Sequence, residues 1–143
     1  PPRSTLFPYT TLFRSSRPAG EIWVGGVPDV LLITEAGQVR QRFPSRQLPL
    51  GILPSAEAGV AGEAFVWDGP GQIVLCSDGL TEASNPAGEA FGHEGLELAL
   101  AQGGRAARLG ILRQALTRHL AGQPAGDDVS VLLLDCAAPA GPG

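Results

Sequence analysis

The first part of the chain alternates short runs of β-favouring residues with short segments rich in glycine and proline. Three such runs lie at residues 22–24, 30–34 and 39–43. Apolar and β-branched runs of this length, bounded by turn-forming residues, are typical of strands joined by tight turns. The pattern therefore predicts a meander of three antiparallel strands.

A second strand region follows a proline-rich connector. Residues 44–61 contain three prolines and two glycines, which favours an irregular segment with at most one short extended piece at 48–53. Residues 64–67 and 72–77 then have strand character and are separated by the turn-forming tetrapeptide Asp-Gly-Pro-Gly at 68–71. These two strands are predicted to form a second hairpin.

Helical periodicity is confined to the last third of the chain. Residues 94–102 place leucine and alanine at helical spacing and stop at two glycines, and residues 105–120 have the pattern of a longer amphipathic helix. Its predicted apolar stripe contains Ala106, Leu109, Leu112, Leu116 and Leu120, opposite a face with Arg105, Arg108, Arg113 and Arg118. We expect that arginine face to be solvated. Residues 129–136 form a final apolar strand without alternation, which predicts burial on both faces.

Composition limits the chain to one domain. Its 143 residues are 43% hydrophobic, which suffices for a single core. The net charge of −4 argues against nucleic acid or an anionic membrane as a partner. No apolar run approaches the roughly 20 residues that a membrane-spanning helix needs. Only Cys76 and Cys136 occur, both beside apolar runs, so we expect buried free thiols and a cytoplasmic, reducing location.

Both ends of the chain differ from the middle. Methionine is absent, and Ser4-Thr5-Leu6-Phe7 is nearly repeated by Thr10-Thr11-Leu12-Phe13 in a stretch without periodicity. We therefore interpret residues 1–20 as a non-native or disordered leader and residues 137–143 as a flexible tail. Residues 21–136 are then the folded domain.

Acidic residues stand at the boundaries of two predicted strands. Asp78 follows the apolar run that ends at Cys76, with only Ser77 between them, and Asp127 and Asp128 directly precede the final strand. Aspartate is depleted within strands, and carboxylate oxygens are the ligands that Mg²⁺ and Mn²⁺ prefer. Two strands that end at the same edge of a sheet would bring these three carboxylates together. The sequence thus predicts a divalent metal site made of Asp78, Asp127 and Asp128.

Five segments resemble, in the correct order, the C-terminal half of the metal-dependent serine/threonine phosphatases of the type 2C class. The most similar branch is that of stage II sporulation protein E and the sigma-regulation phosphatases. The segments are Gly-Gly-Val-Pro-Asp at 25–29, Leu-Pro-Leu-Gly-Ile at 48–52, the run from 73 to 83, Gly-Glu-Ala-Phe-Gly at 88–92, and Gly-Asp-Asp-Val-Ser at 126–130. The resemblance implies an α+β fold, an antiparallel β-sandwich flanked by helices.

The resemblance also implies a chemistry. Two divalent cations, Mn²⁺ or Mg²⁺, would generate hydroxide near neutral pH and neutralise charge on the phosphoryl oxygens. Asp78 and Asp127 would be ligands and Asp128 a ligand or outer-shell partner; substrate-binding residues stay unassigned. The implied substrate is a phosphorylated regulatory protein, commonly an antagonist of an anti-sigma factor, and a sensor or receiver domain is expected upstream.

Two departures from the family pattern stand out. Val27 occupies a position where many members have histidine. More importantly, no Gly-Asp-containing strand precedes residue 21, although that segment supplies the bridging ligands in the family. We therefore expect an incomplete, C-terminal portion of the domain that has no turnover by itself.

Two alternatives remain open. A haloacid dehalogenase type of phosphotransfer enzyme carries Asp-x-Asp-Gly at its nucleophilic strand end, but Cys76 stands where that nucleophile would be, which makes this hypothesis poor. A catalytically inactive, phosphatase-like domain that binds a regulatory partner is the other alternative.

Overall fold

The structure, a computed structural model, describes residues 19–49 and 62–137. These residues form an α+β fold with two antiparallel sheets and three helices. The elements are β1 (Ala19–Ile22), β2 (Val30–Thr34), β3 (Val39–Phe43), β4 (Glu63–Val66), β5 (Gly71–Cys76), α1 (Asp78–Thr81), α2 (Gly92–Leu100), α3 (Arg108–Leu120) and β6 (Val131–Cys136). Among them, no helix has the length and apolar character needed to traverse a membrane. The leader up to residue 18, the tail after residue 137 and most of the predicted extended piece at 48–53 lie outside the described residues.

The larger sheet has four strands in the order β3-β2-β5-β6, and β1 and β4 pair with each other in a separate two-stranded sheet. The β2–β3 hairpin confirms two strands of the predicted meander. The assignment of the first strand to that meander is wrong, and so is the predicted hairpin of residues 64–67 with 72–77. The partner of β4 is β1, which begins at Ala19, and β5 pairs instead with β2 and β6.

The physical reason lies in an aromatic cluster. Phe65 of β4 is buried, and its ring centroid lies 5.1 Å from that of Phe43 at the end of β3. This contact draws β4 over one face of the larger sheet instead of beside β5. The turn that follows β4 is attached to β3 as well, because Asp68 forms an ion pair with Arg40. A local strand-turn-strand pattern carries no information about such distant partners.

The two central strands of the larger sheet separate two hydrophobic cores. Leu31 and Ile33 of β2 face the helices together with Val74 of β5. The alternate residues of β2, Val30 and Leu32, face the two-stranded sheet. This two-residue alternation in strands buried on both sides gives the layered arrangement that the fold class implied.

Strand β6 differs from the prediction of burial on both faces. It lies at the edge of the four-stranded sheet, and its burial alternates along the strand. Val131 and Leu133 pack towards the helices, whereas the side chains of Leu132 and Leu134 are 51% and 46% exposed. The described part of the two-stranded sheet covers β2 and β5 but does not extend over these leucines. The prediction is therefore wrong for one face.

The long helix is also rotated relative to its predicted stripe. The helix begins at Arg108 rather than at 105. Arg108 is completely buried, whereas Leu109 is 54% exposed, so the prediction of a solvated arginine face is wrong at this position. Arg108 donates hydrogen bonds to the carbonyl oxygen of Leu100 (3.1 Å) and to Oε1 of Gln72 (2.7 Å). It also donates to the main-chain oxygens of Thr34 and Glu35.

These hydrogen bonds explain why a cation is tolerated in the interior. Burial lowers the pKa of the Arg108 guanidinium, but four acceptors replace the water that it loses. The side chain thereby ties the end of α2 and the start of α3 to the end of β2 and the start of β5. Both cysteines are buried free thiols, as predicted.

Candidate metal centre

The predicted site lies where β5 ends and β6 begins. These antiparallel neighbours pair Cys76 with Val131 at the limit of their ladder. One more backbone hydrogen bond follows, in which the Ser77 N–H donates to the Ser130 carbonyl oxygen over 2.9 Å. The segment that carries Asp78 and the one that carries Asp127 and Asp128 therefore leave the sheet at the same edge. The structure thus shows a shared backbone edge, and the roles of the three aspartates at that edge stay a prediction.

The Ser77 hydroxyl joins the two segments beyond the ladder. Its Oγ donates to the carbonyl oxygen of Asp128 over 3.1 Å and accepts the N–H of Ser130 over 2.9 Å. Serine hydroxyls beside turns and helix starts ordinarily bond backbone groups close by in the chain. The partners of Ser77 are instead 51 and 53 residues away.

Gly79 allows the segments to approach each other closely. A Cβ atom at this position would lie inside van der Waals contact of the Asp128 carbonyl oxygen, 3.0 Å from the carbonyl carbon of Asp128 and 3.4 Å from that of Asp127. The backbone of α1 thus packs directly on the acidic turn. Because the contact involves main-chain atoms, a larger residue could not be accommodated by a rotamer change alone.

The acidic turn has a local structure of its own. Gly126 adopts a left-handed conformation with φ of 86°, and the N–H of Asp128 donates to Oδ1 of Asp127 over 2.7 Å. Asp127, Asp128 and Asp78 are all exposed at the surface. Their carboxylates therefore have access to solvent and to ions.

The three carboxylates are of the chemical type that a hard divalent cation binds, but they are not grouped closely enough to complete a site. Exposed carboxylates from two adjoining segments suit Mg²⁺ or Mn²⁺. Within residues 19–49 and 62–137, however, no three histidine, cysteine, aspartate or glutamate side chains are grouped closely enough to hold an ion. The assignment of Asp78, Asp127 and Asp128 as metal ligands stays a prediction. The geometry supports a shared backbone edge rather than a complete coordination shell.

A shallow groove of about 280 Å³ lies beside this edge. Ser77 and Ser130 form its polar end, and Val27, Leu75 and Leu132 contribute to an apolar wall. Val27 is the residue that replaces the family's frequent histidine, so this wall is less polar here than that pattern implied.

The loop after α1 is a structural feature that the sequence reasoning missed. Nε2 of His119 on α3 lies 3.1 Å from the Ala83 carbonyl oxygen and 3.0 Å from that of Glu89. Within the loop, Oδ1 of Asn85 accepts the N–H groups of Ala87 and Glu89, both over 2.9 Å. His119 thus fastens to α3 the segment that directly follows the predicted metal site. No local sequence signal could have shown this, because its partners are backbone carbonyl groups.

Comparisons with known proteins gave one match. The family model described as "Stage II sporulation protein E (SpoIIE)" matches residues 10–137. No curated protein and no solved structure matched the chain.

Proposed function

This chain belongs to the stage II sporulation protein E family, a family of PPM-type phosphatases, and from that premise we propose that it contributes to a metal-dependent phosphoprotein phosphatase. The reaction would be hydrolysis of phosphoserine or phosphothreonine on a regulatory protein. The observation that carries the proposal is the convergence of the Asp78 and Asp127–Asp128 segments at one edge of the sheet, joined by the Ser77 hydroxyl.

The proposed roles follow from the positions of the residues. Asp78 would hold a cation from the first turn of α1, and Asp127 would do so from the turn before β6, with Asp128 as a second ligand or an outer-shell partner. Mn²⁺ or Mg²⁺, when bound, would supply an activated water near neutral pH and stabilise negative charge on the phosphoryl group. The contribution of the chain is to hold short acidic side chains on fixed backbone at the end of a sheet.

The proposed partner is a phosphorylated regulatory protein in a bacterial signalling system, such as an antagonist of an anti-sigma factor. An upstream sensor or receiver domain and a cytoplasmic location belong to the same proposal. The net charge of −4 supports a protein partner over nucleic acid. The exposed carboxylates would need their cations in place before a phosphorylated side chain could approach, because like charges repel.

A specific observation favours a second candidate, a phosphatase-like domain that binds its partner without turnover. The described residues provide no group of three potential metal ligands, and an incomplete shell would bind a cation weakly. We propose that residues 1–143 alone have no turnover for this reason. Phosphatase activity of the isolated chain above that of its Asp78→Asn variant would contradict this proposal.

The decisive test uses the full-length gene product and a generic phosphate monoester such as p-nitrophenyl phosphate. We expect hydrolysis that depends on added Mn²⁺ and falls by more than about 100-fold in Asp78→Asn, because loss of a ligand should exceed the usual effect of an outer-shell change. The matched control is Asp68→Asn, an exposed aspartate in the turn before β5. Equal activity of wild type and Asp78→Asn would contradict the metal mechanism. If all variants show only the Mn²⁺-independent background rate of hydrolysis, the result would favour the domain that binds its partner without turnover.

A further inference from the structure

We infer that Ser77 is a positioning residue for the acidic site: its hydroxyl fixes the turn that carries Asp127 and Asp128 against the segment that carries Asp78. The inference rests on the proposed function, because it concerns the arrangement of the ligands that this function requires. It assigns to Ser77 no contact with substrate or cation.

The Ser77 hydroxyl is used differently from that of an ordinary helix cap. Ser77 is the N-cap residue of α1, where a serine oxygen ordinarily accepts an N–H from the first turn of its own helix. Here the side chain makes no such capping hydrogen bond. The hydroxyl donates to Asp128 and accepts from Ser130 instead. Both hydrogen-bonding capacities are directed across the site rather than along the helix.

The backbone ladder between β5 and β6 ends beside Ser77. The pairing of β5 with β6 extends to Cys76 and Val131, and its last continuation is the hydrogen bond from the Ser77 N–H to the Ser130 carbonyl oxygen. Beyond this point the two segments diverge, one into α1 and the other into the acidic turn. Beyond the ladder, the hydrogen bond from Ser77 Oγ to the Asp128 carbonyl oxygen links the acidic turn to the segment that carries Asp78.

Gly79 gives the same conclusion by an independent route. The absence of a Cβ atom there lets the backbone of α1 pack on the Asp128 carbonyl group. Ser77 and Gly79 therefore both concern the Asp128 carbonyl oxygen. The Ser77 hydroxyl donates a hydrogen bond to it, and the missing Cβ atom of Gly79 leaves space for it. Together they determine how far Asp127 and Asp128 stand from Asp78, and a ligand set functions only when its oxygens are held within a fraction of an ångström.

The test is the Mn²⁺ concentration for half-maximal activity of the full-length gene product, compared in Ser77→Ala, Ser77→Thr and Ser84→Ala. Ser84 is a matched control, because its hydroxyl also donates to a backbone oxygen over 3.1 Å, but to Glu82, only two residues away. We expect Ser77→Ala to raise the required Mn²⁺ concentration about 10- to 100-fold, the effect typical of groups that orient metal ligands. Ser77→Thr keeps the hydroxyl and should have the wild-type Mn²⁺ requirement. Ser84→Ala should also have the wild-type requirement.

Thermal unfolding in the presence of a chelator separates positioning from general stability. We expect the unfolding midpoints of Ser77→Ala and Ser84→Ala to agree without metal. Added Mn²⁺ should raise the midpoint of Ser84→Ala as it does that of wild type, but not that of Ser77→Ala. If Ser77→Ala does not fold, Ser77→Cys takes its place, because a thiol keeps the side-chain volume but is only a weak donor and acceptor. The same rise in Mn²⁺ requirement is expected for it, and an unchanged requirement would be the contrary result.

The outcomes distinguish this inference from the function on which it rests. An inactive Asp78→Asn variant together with a wild-type Mn²⁺ requirement in Ser77→Ala would overturn the positioning role alone. A similar rise in Ser84→Ala would overturn it too, because the effect would then be unspecific. Full activity of Asp78→Asn would remove the proposed function and this inference with it.

Discussion

The burial of Arg108 leads to a quantitative prediction about stability. We expect Arg108→Ala to lower the free energy of unfolding by about 3 kcal/mol. The mutation removes the donor for two acceptors in the interior, the carbonyl oxygen of Leu100 and Oε1 of Gln72, whose residues are 0% and 3% exposed. Each buried acceptor left without a donor costs about 1–3 kcal/mol.

Two further terms act in opposite directions. Loss of the side chain leaves a cavity at the junction of α2, α3 and the sheet, which adds to the destabilisation. Removal of a buried cation relieves a desolvation cost, which is the same effect that lowers the pKa of Arg108. The carbonyl groups of Thr34 and Glu35 lie nearer the surface, so water can replace their donor. The net loss therefore stays near the cost of the two interior acceptors.

Urea unfolding of the 143-residue chain, followed by circular dichroism, measures this change. Arg113→Ala is the matched control, because Arg113 lies on the same helix but is exposed, and we expect its effect to stay within about 0.5 kcal/mol. Arg108→Lys keeps the charge but cannot supply the same fork of donors, so we expect it to fall between wild type and Arg108→Ala. A loss below about 1 kcal/mol in Arg108→Ala, equal to that of the control, would refute the argument.

Three other predictions follow from the structure. Burial raises the pKa of the Cys76 thiol. The contribution of this thiol to the free energy of unfolding is therefore complete below the ordinary thiol pKa of about 8.5 and is lost as pH rises through the higher pKa of the folded state. Thermal unfolding midpoints measured from pH 8 to 10.5 should fall less steeply in Cys76→Ala than in wild type, and an unchanged slope would contradict this. His119→Ala should increase hydrogen exchange of the loop at residues 83–91, whereas the exposed His93→Ala should not; equal exchange in both variants would argue against the tether. Gly37→Ala should destabilise the chain by more than about 1 kcal/mol in urea unfolding, because φ is 79° and a Cβ atom would meet the main chain at the end of α2; a neutral effect would show that this packing is wrong.

The acidic site was partly predictable from the sequence. Asp78 and the pair Asp127–Asp128 stand at the ends of apolar runs, and two strands that are neighbours in a sheet must bring such ends to a common edge. That edge is present in the structure. The direction of three short side chains was not predictable, because it depends on the turn at Gly126 and on the start of α1. The role of Ser77 was hidden for a related reason, since serine before a helix ordinarily indicates a cap.

The sequence by itself determined the elements that depend on local periodicity. Strands β2, β3 and β5 and helix α2 lie within two residues of their predicted positions, because alternation over two residues and spacing over three or four are properties of the chain itself. Burial of Cys76 and Cys136 followed from the same apolar runs. The resemblance to a phosphatase family also came from short, ordered segments, and the family match over residues 10–137 confirms it.

Tertiary structure decided which elements are partners and which side chains are buried. β4 pairs with β1 because Phe65 packs on Phe43, and β6 exposes Leu132 because it is an edge strand. Arg108 is buried because acceptors from three segments, two of them more than 30 residues away in the chain, meet at one point. Each of these outcomes depends on contacts between residues far apart in the chain, and hydrophobic periodicity encodes which face of an element is apolar but not what will cover it.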